Sequence, residues 1–457
     1  MKRAGVLLFG LLLGFSLRAQ QQMQPPPQQA ALPEEQQVFF YEAINFIADD
    51  STTSRVDIPY RIDQQFFIAV KNTNPSLPYQ FKRRGEVLVE LLDENGVSKA
   101  RDIHRFEFGD NNGEAKSEDK SWHEGLVSFA VPPGEYTIVL EIDDLESERK
   151  FLDRNRKIVA KKFDGFTVET STPVFMQATS AESPELLVPI NYGGNLAFGK
   201  GASIFLQLHS KDLSTEPVRV EYSIATQNFL YQEPKVVLAD TIAQLPLIHK
   251  YSPTVKPESA TPVYTLTTAQ PSTHTAAVII PLKAETLPLR PFTLSVKIRQ
   301  GALEAAIQQP FRMVWPEMPM SLRDIDFALE ALRHITREDE LDSLKSGSRD
   351  SRLTHLEKFW KKKDRTPNTE YNEVMVEYYR RVDHAMRAFS SMRGFDGHKS
   401  DRGRIYILYG PPTKTQRSLD PSTGYQEVWI YEKQNKKFVF VDQSKSGNYT
   451  LVATQNL

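Results

Sequence analysis

The chain has 457 residues, enough for about three domains of ordinary size. With 40% hydrophobic and 25% charged residues, and Pro (29) outnumbering Gly (22), it falls outside coiled-coil, collagen-like and wholly disordered classes. A formal net charge of -2 gives no field to draw it onto nucleic acid or anionic lipid, and the lack of cysteine excludes disulfides, thiolate-bound metal, a cysteine nucleophile and a lipidated N-terminal cysteine.

Lys2 and Arg3 precede the apolar run VLLFGLLL, and Ala19 sets a small residue before Gln20, the pattern of a signal peptide over residues 1–19. This run and every later one fall short of the ~20 apolar residues a spanning helix needs. The expectation is a mature chain without a transmembrane span, periplasmic or secreted. Residues 20–37, QQQMQPPPQQAALPEEQQ, hold nothing that could build a core and read as a linker.

From 38 to 169 the pattern is of strands: VFFYEAINFI, QQFFIAVKN, GEVLVELLD, LVSFAVPPGEYTIVLEIDD and RKIVAKKFDGFTVE, separated by Asp, Asn, Gly and Pro clusters. Short alternating strands without a long helical stretch predict an antiparallel β-sandwich of immunoglobulin-like size. Within it, Pro132-Pro133-Gly134 delivers Tyr136 into a strand, as in a tyrosine corner, where the phenol bonds nearby backbone. Residues 170–317 repeat the style with ELLVPI, ASIFLQLHS, VRVEYSIAT, KVVLADTI, AAVIIPL, PFTLSVKIRQ and FRMVW, predicting a second sandwich. Leu245 to Thr275, rich in Pro, Thr and Ser around His249, Tyr251 and His274, reads as a long loop or irregular edge.

After Trp315-Pro316 the period changes. Ser321 with Asp324 reads as a capping box, and Leu322, Ile325, Ala328, Leu329, Leu332 and Ile335 recur at three and four, predicting an amphipathic helix. A second helix carries Leu353, Leu356 and Trp360 on one face. Lys361-Lys362-Lys363 ends it, where positive charge suits the helix dipole, and reads as a solvated helix end rather than a nucleic-acid patch. Thr366-Pro367 opens a third helix striped with Tyr371, Val374, Tyr378, Val382, Ala385 and Phe389. Then come RGRIYILYGPP, YQEVWIYEK, KKFVFVD and NYTLVAT, three of which alternate as neighbouring strands. Gly410-Pro411-Pro412 stops the chain, whether IYILY is a strand or a short helix with Gly at its cap. The fold class is therefore multidomain and mainly β: two tandem immunoglobulin-like sandwiches, then an α+β domain over 318–457 with three helices and a small antiparallel sheet.

The run FWKKKDRTPNTEYNEVMVEYYRRVDHAMRAF, followed by GHKSDRGRIYILYGPP and YQEVWIY, resembles the GWxTD-domain family of exported bacterial proteins, named for a Gly-Trp-x-Thr-Asp signature. The signature aligns with Gly397, His398, Lys399, Ser400 and Asp401, so this chain carries His398 for Trp and Ser400 for Thr. The resemblance implies architecture and an envelope or secreted setting, without naming a chemistry. By its own chemistry, Ser400 is suited to cap a helix or turn and Asp401 to add negative charge there, whereas His398 gives up a large apolar contact.

No H-E-x-x-H, G-x-S-x-G, P-loop or G-x-G-x-x-G occurs, and the nine His are scattered without metal-ligand spacing, so neither metal nor cofactor is expected. One dense polar group remains: Arg380, Arg381, Asp383, His384, Asp401, Arg402 and Arg404. If the third helix packs beside the signature turn, these converge on an anion or carboxylate, with His384, Asp401 and Arg402 as candidate catalytic residues; otherwise they are salt bridges and a solvated face. Gly397, His398, Ser400, Asp401, Arg402 and Arg404 are the candidate binding or structural residues. Two function classes follow. The favoured one is an exported, non-catalytic interaction or scaffold protein with a protein partner; the alternative is an envelope hydrolase of glycan or peptide with its site near Asp401 and His384.

Overall fold

The computed structural model describes residues 38–48, 52–111, 122–177, 188–227, 233–248, 251–256, 263–268, 274–390, 396–420 and 424–457. The signal-peptide and linker readings, and His249, lie outside the described residues.

Strand Ser54–Asp63 centres the first sheet, with Trp122–Val131 along one edge and the short strands Phe39–Tyr41 and Ile44–Phe46 sharing the other. The facing sheet is built on Phe81–Leu92, which pairs with Ser98–Asp110 and Gly134–Asp144; Lys150–Ala160 closes it. Val56, Ile58, Ile62 and Val127 of one sheet meet Val87, Val89, Leu91 and Leu140 of the other in a single buried cluster, so the two form a sandwich. Tyr136 donates its phenol hydrogen to the Pro132 carbonyl at 2.7 Å, as the tyrosine-corner reading requires.

Two of these strands were not legible. Ser98–Asp110 turns charged residues to solvent along most of its length. Ser54–Asp63 is buried on both faces yet carries Asp57, whose carboxylate is held by Arg55 at 2.8 Å and Ser128 at 2.6 Å. Its second face is covered because the two sandwiches abut there.

In the second sandwich Ala202–His209 pairs with Glu169–Thr170 and Val174–Gln177 on one edge and Thr275–Leu282 on the other. The opposing sheet runs Val236–Leu245, Val218–Thr226, Pro291–Gln300 and Leu303–Val314, with Leu196–Ala197 parallel to the last strand's end. Ile204, Leu206, Val278 and Ile280 face Val220, Ile224, Leu294 and Val296 in one core. The stretch read as a long loop or irregular edge contains an antiparallel hairpin, Tyr251–Lys256 with Val263–Thr268. Its Thr- and Val-rich arms suit strands despite Pro253.

A third cluster joins the sandwiches: Ile44, Phe46 and Leu126 pack on Val174, Met176, Phe205 and Ala277. Asn45 and Thr172 stitch its rim. The Asn45 N–H donates to Thr172 Oγ1 at 3.0 Å, and the Thr172 N–H donates to the Asn45 carbonyl at 2.9 Å.

Among the described residues the C-terminal region has six α-helices: α1 Met320–Arg323, α2 Ile325–Ala331, α3 Glu338–Lys345, α4 Arg349–Lys361, α5 Glu373–Ala388 and α6 Asp401–Tyr409. The first expected helix is broken at Asp324, which caps α2 by accepting from Asp326 and Phe327 N–H, so Ser321 and Asp324 form no capping box. Thr366-Pro367 lies in a turn before α5, and Asn372 is its cap, accepting from Met375 N–H. Helices α2, α4 and α5 share a core of Leu329, Leu332, Phe359, Trp360, Tyr379 and Val382. A meander of Lys414–Asp420, Gly424–Tyr431, Lys436–Asp442 and Thr450–Gln455 follows. Its inward face, Trp429, Tyr431, Phe438 and Phe440, packs with Ile405 of α6. An aromatic trio, Phe198, Trp315 and Tyr371, joins this region to the second sandwich with ring centroids 5.1 to 5.8 Å apart.

Candidate functional site

The signature turn lies between α5 and α6, and each of its residues has a definite place. Gly397 opens a single 3-10 turn pressed on the end of α5, where an added Cβ would sit 2.2 Å from the Ala385 carbonyl oxygen. Gly403, inside α6, is pressed on Gly397 in turn: its Cβ would sit 2.0 Å from the Gly397 carbonyl oxygen. Helix, turn and helix thus touch backbone to backbone, at two positions that only glycine fits.

Ser400 caps α6. Its Oγ accepts from the Gly403 N–H at 3.0 Å and donates to the Gly397 carbonyl at 2.7 Å. Asp401, in the first turn of α6, accepts from the Leu451 N–H at 2.8 Å and from Arg404 at 3.2 Å. It therefore ties the helix start to the last strand of the sheet. Arg402 lies over the Tyr449 ring at 4.0 Å and pairs with the buried Glu427 carboxylate at 3.1 Å. Glu427 also accepts from Trp429 Nε1 at 3.0 Å.

His398 is 3% exposed, its ring edge-on to Phe327 at 5.0 Å. Neither ring nitrogen has a hydrogen-bond partner among the described residues, and burial, helped by nearby Lys399, pushes its pKa down to about 4. The ring is therefore neutral at pH 7. It occupies the slot that the signature gives to Trp, and its carbonyl takes a hydrogen bond at 2.9 Å from His334 Nε2.

The remaining polar residues do not converge as the sequence allowed. Asp383 is turned to α1, accepting from Met320 N–H at 2.6 Å and Ser321 N–H at 2.9 Å. Arg380 pairs with Glu317 and Arg381 with Glu377. His384 stacks on Tyr406 with centroids 4.2 Å apart and planes 17° from parallel. Asp401's hydrogen bonds go to Leu451 and Arg404, not to His384. A cavity of about 530 Å³ in this region is lined by Trp360, Tyr378 and Ile407 and by charges of both signs, Lys363, Arg365 and Arg381 with Glu373 and Glu377, and no signature residue lines it. Among the described residues, no group of three or more His, Asp or Glu is placed to hold a metal ion.

Residues 306–457 match the family model of the GWxTD domain. The match begins inside strand Leu303–Val314, upstream of the helical boundary at 318, so it takes in the edge of the second sandwich as well as the α+β region. No curated protein matches the chain. Among solved structures, Escherichia coli alpha-2-macroglobulin activated by porcine elastase is similar at 10% identity and a TM-score of 0.15, over 59% of this chain and 22% of that one. The chain thus spans about a fifth of that protein's length. A second, described as manganese lipoxygenase of Gaeumannomyces graminis with a partial structure of zonadhesin of Komagataella pastoris, also has 10% identity and a TM-score of 0.15, over 60% of this chain and 93% of that one. Likeness at this level bears on neither fold nor function.

Two residues of the GWxTD domain escaped the sequence reading. Glu427 shares the inward face of its strand with Trp429 and Tyr431, and the two-residue spacing was the available signal. Gly403 was signalled by glycine standing inside a helical stretch, but that stretch also read as a strand.

Proposed function

We propose that the chain is an exported, non-catalytic interaction protein that binds a protein partner in the bacterial envelope or outside the cell. The observation that carries this reading is the engagement of Asp401: both its oxygens serve the fold, one on Leu451 and one on Arg404, so this carboxylate is not left free to exchange protons with a substrate. The commitment of Asp383 to α1 and of Arg402 to Glu427 supports it, as does the tandem of sandwich sheets. Export rests on the sequence of residues 1–19, and among the described residues no helix is long and apolar enough to cross a membrane.

The test is turnover. Incubated with peptidoglycan and with an unfolded protein substrate, the purified chain should release no products above the blank. Hydrolysis that Asp401→Asn or His384→Gln abolishes, with the melting temperature unchanged, would establish the hydrolase alternative instead.

A further inference from the structure

A cleft of about 810 Å³ opens at the junction of the two sandwiches, far in sequence from the signature turn. One wall is the run 306–312 without a gap, so residues of both strand faces line it. A cleft lying on a sheet face would meet every second residue; a continuous run is met only along a strand's edge. That edge belongs to Leu303–Val314, which pairs on one side with Pro291–Gln300 and on the other, among the described residues, only at Met313 and Val314. The Arg312 N–H points outward, to Asn195 Oδ1 at 2.9 Å. By alternation along a strand whose register shows no shift, Ala306 and Gln308 present their N–H and C=O groups on the same outer edge, and no described strand pairs with them. Pro310, also on that edge, has no N–H to offer.

The opposite wall comes from Lys150–Ala160, the terminal strand of its own sheet, and the residues after it. Among the described residues the lining carries four cations, Arg156, Lys157, Lys161 and Arg312, against one carboxylate, Glu42. Glu42 is 6% exposed, and burial pushes its carboxyl up to about 7 despite Arg156 and the Gly194 N–H, so near neutrality it cancels only part of that charge.

We infer that this cleft docks an extended acidic segment of the protein partner, which adds a strand to the open edge at Ala306 and Gln308 while its carboxylates meet Lys157 and Lys161. This rests on the interaction reading above and names its surface. The edge supplies affinity that is indifferent to sequence, and the cations select charge.

A fluorescent peptide of alternating Glu and Val, roughly ten residues long to match a strand, is the probe for anisotropy titration of the full chain. It should bind, and more weakly as salt is raised. The Lys-Val counterpart should not bind, and N-methylation of alternate peptide nitrogens should weaken binding about ten-fold or more. Gln308→Pro removes one outward N–H and spares the inner ladder, and Lys157→Glu reverses one exposed charge. Each should weaken binding about ten-fold with the melting temperature retained. Equal binding of the acidic and basic peptides, or wild-type binding by both variants, overturns the proposal. So does a concentration-dependent dimer that Gln308→Pro dissolves, which would make a second copy the occupant. Mass spectrometry of the recovered probe separates the two levels: an intact but unbound peptide overturns the cleft alone, whereas a cleaved peptide overturns the interaction reading itself.

Discussion

His398 fills the signature's Trp position with a ring whose two nitrogens are buried and have no partner among the described residues. Each such nitrogen costs the desolvation of a polar atom without a hydrogen bond to offset it. His398→Phe keeps a ring against Phe327 and removes both, so it should raise stability at pH 7 by about 1 kcal/mol. The pH dependence has a definite sign. The folded state holds His398 near 4, below the 6.5 of an unperturbed His, so between these values the unfolded chain binds more protons and stability falls as pH falls. The advantage of His398→Phe should therefore widen between pH 7 and pH 5, as read from denaturant midpoints at both. A variant less stable than wild type at both pH values would show that the nitrogens are satisfied in solution.

At the scale of elements, α6 matters most, because it is clamped on two sides. Its Ile407 belongs to the helical core and its Ile405 to the core under the sheet. Gly403→Ala would improve helix propensity yet drive a methyl to 2.0 Å from the Gly397 carbonyl oxygen. We expect a loss of about 3 kcal/mol or more in thermal or denaturant melts; a neutral or stabilising effect would show that α6 is not held against the turn. The two-sided burial also explains why IYILY was ambiguous: apolar residues facing opposite cores two positions apart imitate the alternation of a strand. Strands buried on one face, such as Gly424–Tyr431, were legible by that alternation, and so was the tyrosine corner. Ser54–Asp63 was not, since its second face is covered by the neighbouring sandwich and its buried Asp57 is satisfied by Arg55 and Ser128, a tertiary compensation that a linear pattern does not carry. Within the candidate site, Ser400 as cap and Asp401 in the first turn followed from local chemistry. The dispersal of Asp383, Arg380 and Arg381 to separate partners depended on where α1 and α5 meet, which no spacing in the sequence specifies.

For the molecule as a whole, the seam between the sandwiches sets how it unfolds. Phe46 is fully buried there, 6.2 Å from the Phe205 ring across the junction. Phe46→Ala should cost about 3 to 5 kcal/mol and raise hydrogen exchange in Ser54–Asp63 and Ala202–His209 together. Loss of protection confined to the first of these strands would mean that the sandwiches open independently.

The turn 397–401 and the start of α6 form a clasp: Gly397 and Gly403 bring backbones together, Ser400 caps α6, and Asp401 grips the strand Thr450–Gln455. The most direct measurement is hydrogen exchange by mass spectrometry on full-length wild type and Asp401→Ala, reading peptides that cover α6 and that strand. Both should lose protection in the variant, with the sandwich strands unchanged. Unaltered exchange in both segments would contradict the clasp and return Asp401 to the list of groups held for chemistry.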